Sequence, residues 1–195
     1  MSNNLLTSLL TAASTNWGLD EADIREYINK IAFHESKNNP KAIQILDDGS
    51  HGRGRGLYQY EIDENNIQGG AHTAVNRLIN YNERLNNKFD ISFTESMIKN
   101  NSYDFSNLTE EEQLIMFLVD KLEDKTANMG KYDIDGNKKL SNKELAGFHA
   151  DEHWAGYEGA GTLTPTKKGK IERDDFIQKL IEDYQWYYLK EVFKI

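Results

Sequence analysis

The chain lacks cysteine and contains only two prolines. Without cysteine it can form no disulfide bond and perform no thiol chemistry, and nothing in the sequence favours an oxidising compartment. A low proline content beside 14 glycines suits a compact, mainly helical chain with a few flexible loops.

Long apolar runs are missing as well. No segment approaches the roughly 18 consecutive apolar residues of a membrane span. The N-terminal segment "MSNNLLTSLLTAAS" has neither the basic start nor the apolar run of a signal peptide. The net charge of −9 repels phosphate backbones and anionic lipids. We therefore expect no nucleic-acid partner and no membrane span, and we expect carboxylates that are free to hold a cation.

The residues that are present support a folded core, because 38% are apolar and 11% aromatic. The 195 residues show no internal repeat and no low-complexity linker, so we expect one domain over residues 1–195 with an inserted loop motif at about 120–150. Asp20 is a candidate N-cap, and Thr109 and Glu112 have capping-box spacing. Helical periodicity covers residues 3–13, 20–37, 71–87, 109–130, 141–150 and 171–193.

Between residues 41 and 70 the helical pattern stops. The segments "AIQIL" and "GLYQYEI" are typical of strands, and "DDGS" is typical of a turn. These predict a small β-hairpin, with "GRGRG" as a mobile loop. The predicted fold class is mainly α (α+β).

A carboxylate ends the second predicted helix, in the segment "HESKNNP". Ile24, Ile28 and Ile31 share one helix face, and Glu35 follows Ile31 by four residues on the same face. Desolvation and the negative end of the helix dipole should both raise the pKa of Glu35. A carboxylic acid that stays protonated near neutral pH is what cleavage of a glycosidic bond requires. The alternative is a glutamate at a frayed helix end that reaches water or an arginine.

Three segments in order strengthen the first interpretation: "ESKNNPKAI", then "GRGLYQYE", then "HADEHWAGYEGAGTL". Together they resemble the lysozyme-like lytic transglycosylases and goose-type lysozymes, including their phage-borne members. The resemblance spans roughly residues 20–165 and implies a lysozyme-like helical domain with a small β-hairpin. One departure is Glu158, which stands where the family pattern usually carries Asn.

The resemblance implies a role for each matching residue. Glu35 would be the general acid and then the base, and Ser36 a hydrogen-bonding partner beside it. The residues that would contact the sugar are Tyr58, Gln59, Tyr60 and Tyr157. Aromatic faces and amide donors suit N-acetyl sugars, which present apolar ring faces beside polar edges.

A glycosidase that uses two carboxylates needs a partner for Glu35, and Glu61 and Asp63 are the candidates. Lytic transglycosylases need no second carboxylate, because the muramyl 6-hydroxyl attacks and leaves a 1,6-anhydro product. The sequence leaves both reactions open, and the resemblance favours the transglycosylase.

The histidines and the arginine-containing loop are interpreted more simply. None of His34, His51, His72, His149 and His153 has the spacing of a His-Glu-x-x-His zinc motif. In "HADEH", His149 and His153 lie four residues apart without a third ligand nearby in sequence, so we interpret them as structural. Arg53 and Arg55 have no following Gly-Lys-Ser/Thr, which excludes a phosphate-binding loop and favours a flexible flap.

The segment "DIDGNKKLSNKE", residues 133–144, matches an EF-hand loop in length and pattern and is called the acidic loop below. Lys138 occupies the sixth position, where glycine normally permits a left-handed turn, at a cost of about 1–2 kcal/mol. The alternative is an acidic turn that binds nothing. The predicted Ca²⁺ ligands are the side chains of Asp133, Asp135, Asn137, Ser141 and Glu144 and the backbone carbonyl of Lys139.

The expected function is cleavage of the β-1,4 bond between N-acetylmuramic acid and N-acetylglucosamine in peptidoglycan glycan strands, with a structural Ca²⁺ site. The expected location is a phage virion, with other virion proteins as partners, or the host cytoplasm before release to the cell wall. The alternatives are a hydrolytic goose-type lysozyme and a non-catalytic, calcium-dependent module that binds peptidoglycan or assembles in a virion.

Overall fold

The structure is a computed structural model, and it describes residues 2–62, 70–124, 127–153 and 167–193. Most of these residues are helical, and a three-stranded antiparallel sheet completes the fold. The helices are α1 (Ser2–Trp17), α2 (Glu21–Ser36), α3 (Gly70–Arg84), α4 (Glu95–Asn100), α5 (Glu110–Glu123), α6 (Asn142–Glu152) and α7 (Lys167–Phe193). The strands are β1 (Ile43–Ile45), β2 (His51–Arg55) and β3 (Tyr60–Glu61). The prediction of a mainly helical chain with a minor β element is confirmed.

The hydrophobic core is built around α5. Residues 115–119 of this helix are consecutive and fully buried, so α5 is covered on every side rather than along one stripe. It packs between α1 and α3. Its start is fixed by the predicted capping box, in which Thr109 and Glu112 exchange side-chain and backbone hydrogen bonds.

The end of α5 differs from the prediction. The periodicity extends to residue 130, but the helix ends at Glu123 because Asp124 takes an extended conformation. A separate 3₁₀ turn then covers Met129–Tyr132. Ala127 and Met129 are buried although both lie after the end of α5. Buried residues at this spacing look like a longer helix in the sequence, which is why the periodicity predicts a later end.

The sheet corrects the expectation for "GRGRG". Residues 52–55 of this segment belong to β2, which is the central strand and pairs with β1 and β3. Gly52 and Gly54 are buried, and the side chain of Gln44 lies against both. A Cβ atom on Gly52 would collide with Gln44, and a Cβ atom on Gly54 would collide with the side chain of Gln59. The backbone N–H of Gly54 also donates to Oε1 of Gln44 at 3.2 Å. The glycines therefore allow close approach of Gln44 and do not make this segment a loop.

The last two helices bring distant parts of the chain together. Helix α7 packs against both α2 and α6, so residues near 35, 149 and 184 become neighbours. Asp20 occupies the N-cap position of α2, as predicted, but its side chain makes no capping hydrogen bond. Within the described ranges, no helix is long and apolar enough to cross a membrane.

Candidate active site

Glu35 lies where the sequence pattern predicts, at the last turn of α2 on the buried face. Ile24, Ile28 and Ile31 are fully buried on this face, and the Glu35 side chain is 16% exposed. The helix stops just after it because Lys37 takes a left-handed conformation with φ of 55° and donates its N–H back to the helix. Glu35 is thus held by a rigid element at the edge of the core.

A hydrogen bond between two helices fixes the Glu35 carboxylate. Oε1 of Glu35 lies 2.6 Å from Nε2 of His149, which is fully buried on α6. The second ring nitrogen of His149, Nδ1, lies 2.7 Å from the hydroxyl of Tyr184 on α7. The three side chains form a continuous chain of hydrogen bonds from α7 through α6 to α2.

The pKa of Glu35 is opposite to the expectation. Burial raises it, but the hydrogen bond from His149 and the charges of His149, His153 and His34 together lower it by more, so the pKa of Glu35 is about 2. The predicted rise is therefore wrong for the protein without substrate. It followed from burial and the helix dipole, and it missed His149, which lies 114 residues further along the chain.

His153 stands beside this pair, one helical turn after His149. Its Nε2 donates to the backbone carbonyl of Tyr58 at 2.8 Å, and its ring packs against Tyr60 and Phe117. Burial and, to a smaller extent, the charge of Lys121 lower the pKa of His153 to about 3.

Glu35, His149 and His153 form a group that can hold a metal ion. Each offers one ligand atom, and these atoms all lie within 4.8 Å of one another. Glu35 supplies the third ligand, which the spacing of the two histidines in the sequence does not reveal.

A cleft of about 500 Å³ opens in front of Glu35 and is called the Glu35 cleft below. It combines the end of α2 with the strand segment around Gln59 and the end of α5. Six of the side chains that line it are Glu35, Tyr58, Gln59, Tyr60, Glu61 and His153.

The strand segment opposite Glu35 is held in an unusual conformation. Gln59 has a φ of 50°, a left-handed value that is uncommon for residues other than glycine. Its side-chain nitrogen donates to the carbonyl of Gly56 at 2.7 Å, which stabilises the turn before β3. Such strain persists where the surrounding structure determines it, and it is frequent at binding and catalytic sites.

The two tyrosines of this segment belong mostly to the core. Tyr58 is 2% exposed, and its ring lies 4.5 Å from that of Phe117. Tyr60 is 6% exposed and donates its hydroxyl to Asp120 at 2.7 Å, while Arg77 pairs with the same carboxylate. Both tyrosines line the cleft, but little of either ring is left to contact a sugar.

The remaining predicted residues have different outcomes. Ser36 donates its hydroxyl to the carbonyl of Ala32, one turn back in α2, and its role beside Glu35 stays a prediction. Glu61 lines the cleft with a side chain that is 55% exposed and lies 3.2 Å from Arg53. Asp63 and Tyr157 lie outside the described residues.

The acidic loop forms a second group that can hold a metal ion. Carboxylate oxygens of Asp133, Asp135 and Glu144 lie within 4.8 Å of one another. Helix α6 starts directly after Ser141, which forms a capping box with Glu144. One carboxylate oxygen of Glu144 accepts the backbone N–H of Ile134 at 2.8 Å, which closes the loop from its last residue to its second.

The backbone of the acidic loop has the conformation that its sequence pattern requires. Lys138, at the sixth position, has a φ of 65° despite its side chain, and its N–H donates to Asp133 at 2.9 Å. Leu140 is buried at 5% exposure, and its N–H donates to the hydroxyl of Tyr27 at 2.7 Å. Tyr27 thereby ties the loop to α2, the helix that carries Glu35.

Comparisons with known proteins give no match. Neither the protein-family models, nor the curated proteins, nor the solved structures contain a similar chain or fold at a significant level. A functional assignment must therefore come from the motifs and the site geometry.

Sequence reasoning does not identify three residues of the site, which are His149, His153 and Tyr184. The spacing of "HADEH" was a usable signal, because it puts two imidazoles on one face of a helix. Tyr184 gave no such signal, since it is one of ten tyrosines and lies on a helix without a motif.

Proposed function

We propose that this protein cleaves the β-1,4 glycosidic bond between N-acetylmuramic acid and N-acetylglucosamine in peptidoglycan, as a lysozyme-like lytic transglycosylase. The observation that carries the proposal is the position of Glu35. It lies on the wall of a cleft, bonded to a buried histidine and opposite the "GLYQYE" segment. The order of the three family-like segments along the chain supports the same function.

The Glu35–His149 pair explains how a proton is available in the cleft. The 2.6 Å hydrogen bond holds one proton between Nε2 of His149 and Oε1 of Glu35. When a glycan occupies the cleft, this proton passes through the Glu35 carboxyl group to the glycosidic oxygen as the C1–O bond breaks. His149 is left as a neutral imidazole, whose Nδ1–H donates to the hydroxyl of Tyr184. General acid catalysis then uses a carboxyl group whose proton is held by a neighbouring histidine rather than by burial alone.

The second half of the reaction returns the proton. The Glu35 carboxylate accepts the proton of the muramyl 6-hydroxyl, whose oxygen attacks C1 and forms the 1,6-anhydro ring. Atoms balance without water, because the leaving sugar gains the proton that the 6-hydroxyl loses. No second carboxylate is required.

A hydrolytic reaction is the second candidate, and the position of Glu61 favours it. Glu61 lines the same cleft and is exposed enough to activate a water molecule. Its ion pair with Arg53 argues for the transglycosylase, because the carboxylate that would have to hold the water molecule is engaged by Arg53.

Ca²⁺ is the cofactor that we propose for the acidic loop. The donors are all oxygen atoms, which suits a hard cation. The left-handed turn at Lys138 supports this assignment, because the loop tolerates backbone strain to keep the carboxylates together. The residues that would hold the ion are Asp133, Asp135, Asn137, Ser141 and Glu144, with the carbonyl of Lys139.

The proposed role of Ca²⁺ is structural. The loop joins the turn at Met129–Tyr132 to α6, which carries His149 and ends directly before His153. A bound ion would fix the start of the helix that positions the Glu35 partner. The non-catalytic alternative, a calcium-dependent peptidoglycan-binding or virion-assembly module, would need the loop but not the Glu35–His149 pair. In either case we propose a phage virion or the host cytoplasm before release as the location.

Clearance of a suspension of purified cell walls tests the proposal. Glu35→Gln keeps the shape of the side chain but removes the acid, so we expect a loss of at least about 10³-fold. Glu83→Gln is the matched control, because Glu83 is an exposed residue of α3 outside the cleft. Equal clearance by the two variants would reject Glu35 as the acid, and no clearance by the wild type would favour the binding module.

A further inference from the structure

We propose that Glu35, His149 and His153 bind a Zn²⁺-like transition-metal ion, and that the bound ion blocks the Glu35 cleft. This site is separate from the acidic loop, which offers only oxygen ligands. Two imidazoles and one carboxylate are a ligand set that suits zinc and its neighbours rather than calcium.

The placement of the three residues fits one ion. His149 lies on α6, His153 is the residue directly after the end of this helix, and the centroids of their rings are 5.5 Å apart. Glu35 enters from the last turn of α2. The three ligand atoms lie within 4.8 Å of one another, which small side-chain rotations can bring to the spacing of about 3.3 Å found around a tetrahedral ion.

In each histidine, one ring nitrogen has a hydrogen-bond partner outside the proposed metal site, so the other ring nitrogen can coordinate the ion. A backbone carbonyl can only accept, so Nε2 of His153 carries the hydrogen that it donates to Tyr58. Nδ1 of His153 is then the nitrogen with the lone pair. Nδ1 of His149 can likewise donate to the hydroxyl of Tyr184, which leaves Nε2 for the metal. Partners of this kind orient the histidine ligands of metalloproteins.

Space for the ion exists on the cleft side. Glu35 and His153 both line the Glu35 cleft, so a fourth coordination position would face the cleft and could take water. Oε1 of Glu35 must move by less than about 1 Å away from Nε2 of His149 to admit the ion. The carboxylate can make this movement because it lies at the end of α2 and is partly exposed.

Binding would remove the group on which cleavage depends. A metal ion that occupies the Glu35 carboxylate replaces the proton shared with His149, so no acid remains for the glycosidic oxygen. Zn²⁺ should therefore inhibit the enzyme reversibly, and a chelator should restore activity. This consequence rests on the proposed function, whereas the binding of the ion does not.

Calorimetric titration with Zn²⁺ tests the site in the full chain with saturating Ca²⁺ present to fill the acidic loop. We expect one Zn²⁺ per chain in the wild type and in the control His51→Gln, since His51 is exposed on β2. Glu35→Gln and His153→Gln should each bind at least about 10-fold more weakly, because loss of even an outer partner of a metal site costs that much. Equal binding by all four proteins, or no binding by the wild type, would overturn the proposal.

X-ray absorption of the zinc-loaded wild type keeps the proposal testable if a variant fails to fold. We expect two imidazole ligands and an oxygen-rich remainder around the ion. Coordination by oxygen atoms alone would place the ion elsewhere and refute the site. Cleavage assays with Zn²⁺ test the inhibition separately. If Zn²⁺ binds through two imidazole ligands but cleavage is unchanged, the metal site is correct and the proposed inhibition is wrong.

Discussion

The Glu35 cleft is assembled from residues far apart in the sequence, whereas the acidic loop is contained in twelve consecutive residues. Glu35, His149 and Tyr184 come from three different helices and meet only after α7 has packed against α2 and α6. In the acidic loop, Asp133 and Glu144 accept hydrogen bonds from backbone groups of the loop itself. The cleft therefore depends on tertiary packing, and the loop depends mainly on local backbone conformation.

This difference leads to different responses to mutation. A change in the cleft should alter chemistry strongly, because each hydrogen bond from Tyr184 through His149 to Glu35 is made by a single pair of side chains. A change in the loop should alter stability gradually, because several ligands would share the proposed cation. The predictions below test this difference, from the largest expected effect to the smallest.

The largest effect after Glu35→Gln is expected from His149→Gln. The glutamine cannot hold a transferable proton beside Glu35, so we expect cell-wall cleavage to fall by about 10²-fold. Tyr184→Phe removes only the hydroxyl that orients His149 and is the milder control, with a cost of about 1 kcal/mol in stability. Activity of His149→Gln at the level of Tyr184→Phe would mean that His149 only packs in the core, provided that circular dichroism shows both variants folded.

Removal of the metal from the acidic loop should have an intermediate effect, on stability rather than chemistry. At a Ca²⁺ concentration of about 100 times Kd, the folded state gains about 2.7 kcal/mol. For a chain of this size, that gain corresponds to roughly 5–10 °C in Tm. Glu144→Gln should lose most of the gain and Glu83→Gln none. Melting curves that overlay with Ca²⁺ and with a chelator would show that the loop binds no Ca²⁺.

The smallest effect is expected from Lys138→Gly. Lys138 has a φ of 65°, so glycine should relieve backbone strain of about 1 kcal/mol and raise Tm by a few degrees. Lys139→Gly is the contrast, because Lys139 lies outside the set of positive-φ residues and glycine there only makes the unfolded chain more flexible. Thermal melting in Ca²⁺ should show opposite shifts, and shifts in the same direction would refute the strain at Lys138.

The same comparison explains which features could be predicted from the sequence. The acidic loop follows from twelve letters, and the structure gives even its strained sixth position the left-handed conformation. The capping box of α5 and the placement of Glu35 on a buried face follow from local spacing in the same way. These features depend only on residues that are close together in the sequence, so local sequence patterns can predict them.

Features that depend on tertiary packing could not be predicted in this way. The "GRGRG" segment reads as flexible, and only the packing of Gln44 against two glycines makes it a central strand. The pKa of Glu35 depends on His149, which the sequence offers as one of five histidines without indicating its partner. Burial alone predicted a shift of the wrong sign, because the hydrogen bond from His149 and the charges of His149, His153 and His34 together outweigh it.

Analysis of the soluble products from purified cell walls tests the central claim most directly. Digestion by the wild type should release fragments with 1,6-anhydro-muramic ends, each lighter by one water molecule than the corresponding muramidase product. Glu35→Gln should release none, and Glu83→Gln should match the wild type. Reducing muramic ends would show that the protein is a hydrolase, with Glu61 as the candidate second carboxylate. The absence of any glycan cleavage by the wild type, or cleavage undiminished in Glu35→Gln, would contradict the account.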